Sequence, residues 1–469
     1  VLTVRLRNRF MLTFLPLFLL AQTNPIPTPA PPAPPLEVVQ PQEVRALPGK
    51  LDDVPVFNSN SPELVQTEGI LLSTFPPSKK STSAAHLNFP FQGRFDVFAH
   101  HIAKPPTPED LRTLYLGIIV HNPGKQPVTV DILQAASYLS QPDAPFMPMA
   151  SYIENPLGTV YAGPGDRVSN DILREQRQAD FPPQLTIPPG ESRMLMNHPI
   201  PVKTLTPPLN GRSTLMRLRS NAKVYMASLA MYARQNPNKS ERAPTLEEWQ
   251  TLLNSGNLAQ PRDRVPTSPE ANKGQLIYGR VAGVAQGSQW KARLVERPGA
   301  VNLSIPQPGK AFSYSLSTVP RGTLGTERVQ SAPMLVRYPD TAYMAHGNYG
   351  VQYSLTLPLM NDTNDSQTVT LAIQTPIKQD RLQGGLRFLE PPPQQVFFRG
   401  TVQIQYTDDR GLPQIRYVHL VQRRGQQGEP LITLKMLPGD RRLVKVDFIY
   451  PPDATPPQVL TVRTLEKTS

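Results

Sequence analysis

The sequence contains no cysteine. That absence excludes a disulfide scaffold, thiol chemistry and a bacterial lipid-modified N-terminus. Tryptophan is nearly absent as well, with only Trp249 and Trp290, so the aromatic platforms expected of a sugar-cleaving cleft are scarce. No Gly-x-Ser-x-Gly elbow occurs. Gly287-Ser288 lacks the second glycine, which leaves Ser288 without the strained turn that exposes a nucleophile. No His-Glu-x-x-His stretch is present, and no zinc or other cofactor is expected.

Proline, by contrast, is abundant at 56 residues, well above the usage of about 5 % in ordinary chains. Proline ends helices and is confined to strand edges and turns. The composition therefore predicts a mostly β protein of short strands joined by irregular loops. A chain of 469 residues exceeds one ordinary hydrophobic core and fits two or three domains.

At the N-terminus, Arg5, Arg7 and Arg9 precede an apolar run from Phe10 to Leu20 that ends at Ala21. A basic n-region, a short apolar stretch and a small residue describe a signal peptide over residues 1–21, too short to span a bilayer comfortably. A start at Met11 would remove the three arginines from the signal. Thr23 to Pro35 reads TNPIPTPAPPAPP, a polyproline spacer placing a Pro-rich linker at 22–37. The protein is expected outside the cytoplasm, in the periplasm, on the outer surface or secreted, with no transmembrane span in the mature chain.

The formal charge is +12; losing the three signal arginines leaves +9. A basic exported protein favours anionic surfaces such as acidic polysaccharide or other envelope polymer. Nucleic acid is the poorer partner, because Arg423/Arg424 and Arg441/Arg442 read as isolated pairs in turns, not as a basic stripe interleaved with aromatics.

From Val38 onward, short apolar runs such as LYLGIIV (114–120) and VTVDIL (128–133) have the length and composition of strands. One helix is expected after Thr245, with Glu248 completing a capping box and Leu246, Trp249, Leu252 and Leu253 on one face. It lies in a polar, proline-rich stretch, 235–273, the expected connection between modules at 38–234 and 274–469. These halves repeat one pattern. In the first, LGIIVHNPGKQPVTVDIL, LTIPPGESRMLM and KVYMASLAMYA follow one another; in the second, YSLTLPLMNDTNDSQTVTLAI, LKMLPGDRRLVKV and PQVLTVRTL do. Asn122 to Gly190 spans 68 residues and Asn361 to Gly439 spans 78, with Asn and Gly suited to left-handed turn geometry. Two Ig-like β-sandwich modules are the expected architecture.

Candidate chemistry is thin. His100 and His101 alternate along a strand and point to opposite faces, and Asp96 and His100, four residues apart, are about 13 Å apart at about 3.3 Å per residue. Neither pair can chelate one ion. The run Asn361 to Asp365 carries calcium-type ligands without the glycine and distal glutamate of a specific loop, so a solvated turn is expected there. Glu63, Glu68, Asp96 and Glu154 are the carboxylates from which a glycoside-cleaving pair would be drawn.

The stretches LDDVPVFNSNSPELV (51–65), TEGILLSTFP (67–76) and HLNFPFQGRFDVFAHHI (86–102) resemble a family of cyanobacterial exported proteins defined as a domain of unknown function. The resemblance runs from about Val44 to the C-terminus and supplies no catalytic residues. It implies an extracytoplasmic protein. The expected function is non-enzymatic, binding or organising anionic polymer or other envelope components; the alternative is a carbohydrate-active hydrolase or lyase using a carboxylate pair.

Overall fold

Short β-branched runs between prolines fold here as strands. The computed structural model, which describes residues 34–271 and 273–466, is mostly β, with several sheets and two α-helices among the described residues. The signal segment and most of the proline spacer lie outside the described residues. The spacer's last two positions, Leu36 and Glu37, already belong to the strand Leu36–Gln40, which pairs antiparallel with Leu386–Glu390. No helix among the described residues is long and apolar enough to cross a membrane.

Two sheets carry the same strand order. In one, Val128–Leu139 is flanked by Gln184–Ile187 and by the long strand Asn210–Tyr232, which pairs with Phe91–Ala103, which in turn takes Pro55–Ser59 as a parallel neighbour. In the other, Gln367–Gln374 is flanked by Ile432–Met436 and Gln458–Thr464, followed by Ala311–Leu316 and the parallel strand Glu43–Arg45. Each of these sheets faces a second one. Leu114–His121 pairs with Ser192–Ile200, and Gln352–Met360 with Arg441–Ile449. Two apolar cores fill the spaces, one built on Phe57, Phe95, Ile118, Val130 and Leu218, the other on Tyr353, Leu371, Ile404, Val446 and Leu460.

The two Asn corners make matching hydrogen bonds. Asn122 Nδ2 donates to the carbonyls of Gln126 (2.7 Å) and Ile187 (3.0 Å), and its Oδ1 accepts from Gly124 N at 2.8 Å. Asn361 Nδ2 donates to the carbonyls of Asp365 (2.8 Å) and Met436 (2.9 Å), and its Oδ1 accepts from Thr363 N at 3.0 Å. The backbone closes both corners alike: Gly190 N donates to Asn122 O at 3.0 Å, and Gly439 N to Asn361 O at 2.8 Å. Gly190 and Gly439 have φ of +73° and +75°, where a side chain is strained. The asparagines do not adopt that geometry. Their value lies in a fully buried amide that satisfies carbonyls on both sides of a sheet-to-sheet crossing.

The third matched segment is corrected. Gln458–Thr464 occupies the sheet position of the first part of Asn210–Tyr232, not of KVYMASLAMYA. A register break between Ser220 and Val224 bends the long strand, and its second part leaves to pair with Leu114–His121.

Strand pairing crosses the 235–273 connection repeatedly. Glu43–Arg45 and Tyr152–Glu154 pair with strands from the second half, while Ala282–Gln286 and Ala332–Arg337 extend the first-half sheet beyond Pro55–Ser59. Helix α2, Leu246–Ser255, carries the expected capping box, and its buried Trp249 seats on Gly117, where an added Cβ would lie 2.7 Å from the indole.

A second helix, α1 at Pro164–Leu173, lies between the sheets of the two halves and was invisible to periodicity. Only Val168, Ile172 and Leu173 are apolar and buried, joining Phe98, Leu215 and Ile449 in a third cluster. Its start is set by Pro164 at the first helical position and Asp166 in the first turn. Asp166 Oδ2 lies 2.6 Å from His419 Nε2, with both side chains fully buried.

Replacing either corner asparagine by alanine strands buried carbonyl and amide groups at about 1–3 kcal/mol each. Asn122→Ala and Asn361→Ala are each expected to lower unfolding free energy by about 3 kcal/mol in urea titrations, with near-additive loss in the double variant. A loss below about 0.5 kcal/mol at either site would contradict the clamp.

Candidate functional site

The strand Pro55–Ser59 ends with Asn58 pointing to the same side as Asn60, two residues on. Both line a cavity of about 450 Å³. Its other walls come from distant segments: Tyr278 to Val281 leading into Ala282–Gln286, His346 and Tyr349, Ile377 and Lys378 after Gln367–Gln374, Phe397, Arg424 and Thr455-Pro456. Apolar groups form most of the surface. Three basic side chains and no carboxylate stand among the lining residues.

Lys378 Nζ hydrogen-bonds the Tyr278 hydroxyl, which itself donates to Pro320 O. The ammonium also sits 4.4 Å above the Tyr278 ring centroid, a cation–π position. Burial pushes the Lys378 amine down to about 8, with Asp380 opposing and Arg321 adding to the shift. Burial raises the Tyr278 hydroxyl to about 12. His346, its ring 4.8 Å from Tyr278, is lowered to about 4 by burial and by Lys378, so it is neutral near pH 7.

Arg280 is paired with Glu63, whose other carboxylate oxygen lies 3.7 Å from His100 Nε2. Burial raises the Glu63 carboxyl, Arg280 lowers it, and Asp263 adds to the rise. Arg424 is exposed and its guanidinium has no partner among the described residues. Asn58 and Asn60 are each only 4 % exposed, and the Oδ1 atom of each is buried without a hydrogen-bond partner. Buried amides of this kind are uncommon, because the lost hydration is not recovered.

The candidate catalytic and metal-binding residues named from the sequence lie elsewhere. Each of the four carboxylates is held by an arginine: Glu63 by Arg280, Glu68 by Arg234 at 2.8 Å, Asp96 by Arg94, and Glu154 by Arg416. None of the four lines the cavity. Ser288 donates its hydroxyl to Asp52 Oδ2 at 3.2 Å and its N–H to Oδ1 at 2.7 Å, tying its segment to the distant one around Asp52. His100 and His101 do point apart, the first to Ser213 Oγ (2.8 Å), the second to Ser59 Oγ (2.9 Å) and Pro62 O (2.8 Å).

The Asn361–Asp365 run is the second-half corner, with Asp362 Oδ2 accepting from Ser304 at 2.8 Å. Among the described residues no group of three or more His, Asp or Glu is placed to hold a metal ion. Trp249 and Trp290 are both buried, the latter donating to Pro48 O at 2.9 Å. Arg442, expected in an isolated turn pair, is bonded to Asp440 at 2.8 Å and to main-chain carbonyls, whereas Arg424 faces the cavity. Nothing in spacing or periodicity brings Asn58, Tyr278, Lys378 and Arg424 together; only the strand pairings across the two halves do.

His101 supplies a pH test. Its Nδ1–H donates to Pro62 O, so Nε2 accepts from Ser59, and the neutral ring fills both roles. Burial lowers it to about 4, below the ordinary value of about 6.5. A depressed histidine stabilises the fold above pH 6.5 and loses that contribution as pH falls towards 4. Unfolding free energy should therefore drop between pH 6.5 and 4 by about 2–3 kcal/mol more in the parent than in His101→Gln. Equal drops in the two proteins would contradict this assignment.

Comparison with known proteins adds a family and little else. No curated protein matches the chain. Among solved structures, a mutant of Bacillus subtilis Oxalate Decarboxylase OxdC aligns over 85 % of this chain and 83 % of its own at 10 % identity, with a TM-score of 0.11. That score carries no argument about fold or chemistry. A family model does match, over residues 42–464, nearly the whole of the described chain. The protein therefore belongs to the family described as a protein of unknown function (DUF3370).

Proposed function

We propose that this is an exported cyanobacterial envelope protein, non-enzymatic, built from two sandwich-like halves, that binds anionic polymer at the cleft between Pro55–Ser59 and Lys378. The carrying observation is the lining of that cleft. Lys378 and the unpaired Arg424 stand, beside the Glu63-paired Arg280, on one mostly apolar cavity whose lining contains no acidic residue. Lys378, half-buried against an apolar wall, is screened less than a surface lysine and attracts an anion more strongly, and the exposed Arg424 adds an unpaired charge. The net charge, +9 without Arg5, Arg7 and Arg9, supports the same reading by steering polyanions towards the surface. The basic segment, apolar run and proline spacer at the N-terminus support export.

The test uses the full chain sedimented with an acidic polysaccharide and with neutral dextran. Binding to the acidic polymer is expected to weaken steeply from 50 to 500 mM salt and to fall at least tenfold in Lys378→Glu/Arg424→Glu. Equal binding to dextran, or an unaffected double variant, would sink the proposal. In fractionated cells, the mature N-terminus is expected close to Ala21; an intact N-terminus in the cytoplasm would remove the export part of the reading.

A further inference from the structure

The cavity that carries the polymer reading is small and chemically mixed, and both properties restrict what enters it. At about 450 Å³ it lies at the small end of ligand sites, roughly 300–1,000 Å³. A polymer can enter only by a terminal or side-branch unit. The ligand must also answer three different surfaces. Lys378 and Arg424 call for an anion, and Arg424 has its whole guanidinium free. The Asn58 and Asn60 amides stand in the lining with Nδ2 groups that make no hydrogen bond to the described residues, and they call for hydroxyl groups that can accept. Phe397 is half-buried in the lining and its ring has no aromatic partner among the described residues, which leaves a flat apolar face to be covered.

Resting on the reading above, we propose that the cavity recognises one acidic sugar unit of the hexuronic-acid class, its carboxylate on Lys378 and Arg424, its hydroxyls on Asn58 and Asn60, and its ring face against Phe397. A bidentate guanidinium–carboxylate contact fits Arg424. A ring that presents C–H groups on one face and hydroxyls at its edge matches an apolar wall flanked by amides. An acyl chain with a phosphate head would satisfy the cations and the apolar wall, yet it would leave both amides unpaired in a drier site, at a cost in affinity. A simple inorganic anion would use the cations alone.

Calorimetric titration of the full chain tests this with four probes: sodium D-glucuronate, D-glucose, sodium sulfate and octyl phosphate. Glucuronate is expected to bind at least tenfold tighter than the other three. Arg424→Gln, at an exposed and unpaired position, should keep the fold and lower glucuronate affinity at least tenfold; Phe397→Ala should lower it several-fold without changing the salt dependence. Tighter binding of octyl phosphate or sulfate, or no effect of Arg424→Gln, overturns the proposal. Acidic polymer that still binds while glucuronate does not would overturn the uronate assignment and leave the polymer reading standing. Glucuronate binding without polymer binding would do the reverse.

Discussion

Two buried amides set the limits within which this chain can fold. Asn122 and Asn361 each stand where the chain leaves one sheet for the opposing one, and each side chain ties its own crossing to a second crossing about seventy residues later in sequence. A sheet-to-sheet crossing exposes carbonyls that no ladder can reach, and at these buried corners water cannot reach them either. Supplying two donors and one acceptor from a single fixed group solves the problem at both corners. The alternating strands around them then have only one register that keeps Ile118, Val120, Leu357 and Leu359 inside.

Much of this order is legible in the residues. Apolar runs of strand length, a capping threonine with its glutamate, and Pro-Gly-acid turns opening new strands all appear where periodicity and turn chemistry put them. The repeat was visible because its corners use the same residues for the same reason, although the reason was misjudged: asparagine acts there through its amide, not through its backbone. Helix α1 stayed hidden because its buried face is polar. Asp166 and Asp171 are buried against His419 and Tyr138, which lie outside the helix and its flanking turns, and Asn170 against nearby loop groups, and no local pattern announces such a helix.

The cleft was illegible for a related reason. Its polar groups have no common motif, and each taken singly is an ordinary surface or loop residue. They meet only because Pro55–Ser59 is sandwiched between Phe91–Ala103 and Ala282–Gln286, which brings the segment around Tyr278 next to Asn58 and Asn60. The carboxylates that looked promising were drawn instead into pairs with arginine, where they neutralise buried or half-buried charge. What a sequence advertises as reactive can be committed to holding the scaffold, and what binds can be assembled from residues with no distinguishing neighbours.

The route of the first described strands bears on biogenesis. Glu43–Arg45 lies beside Ala311–Leu316, which lies beside Gln458–Thr464, while Pro55–Ser59, after only nine intervening residues, joins the opposite half. Glu43–Arg45 thus belongs to a sheet whose other strands all lie far further along the chain. Loop closures of this length are slow, and until they occur the second-half sheet is incomplete at both flanks of Ala311–Leu316. Completion of the second-half sheet therefore depends on a strand that precedes the first half in the chain, so the two halves lock together and not one after the other.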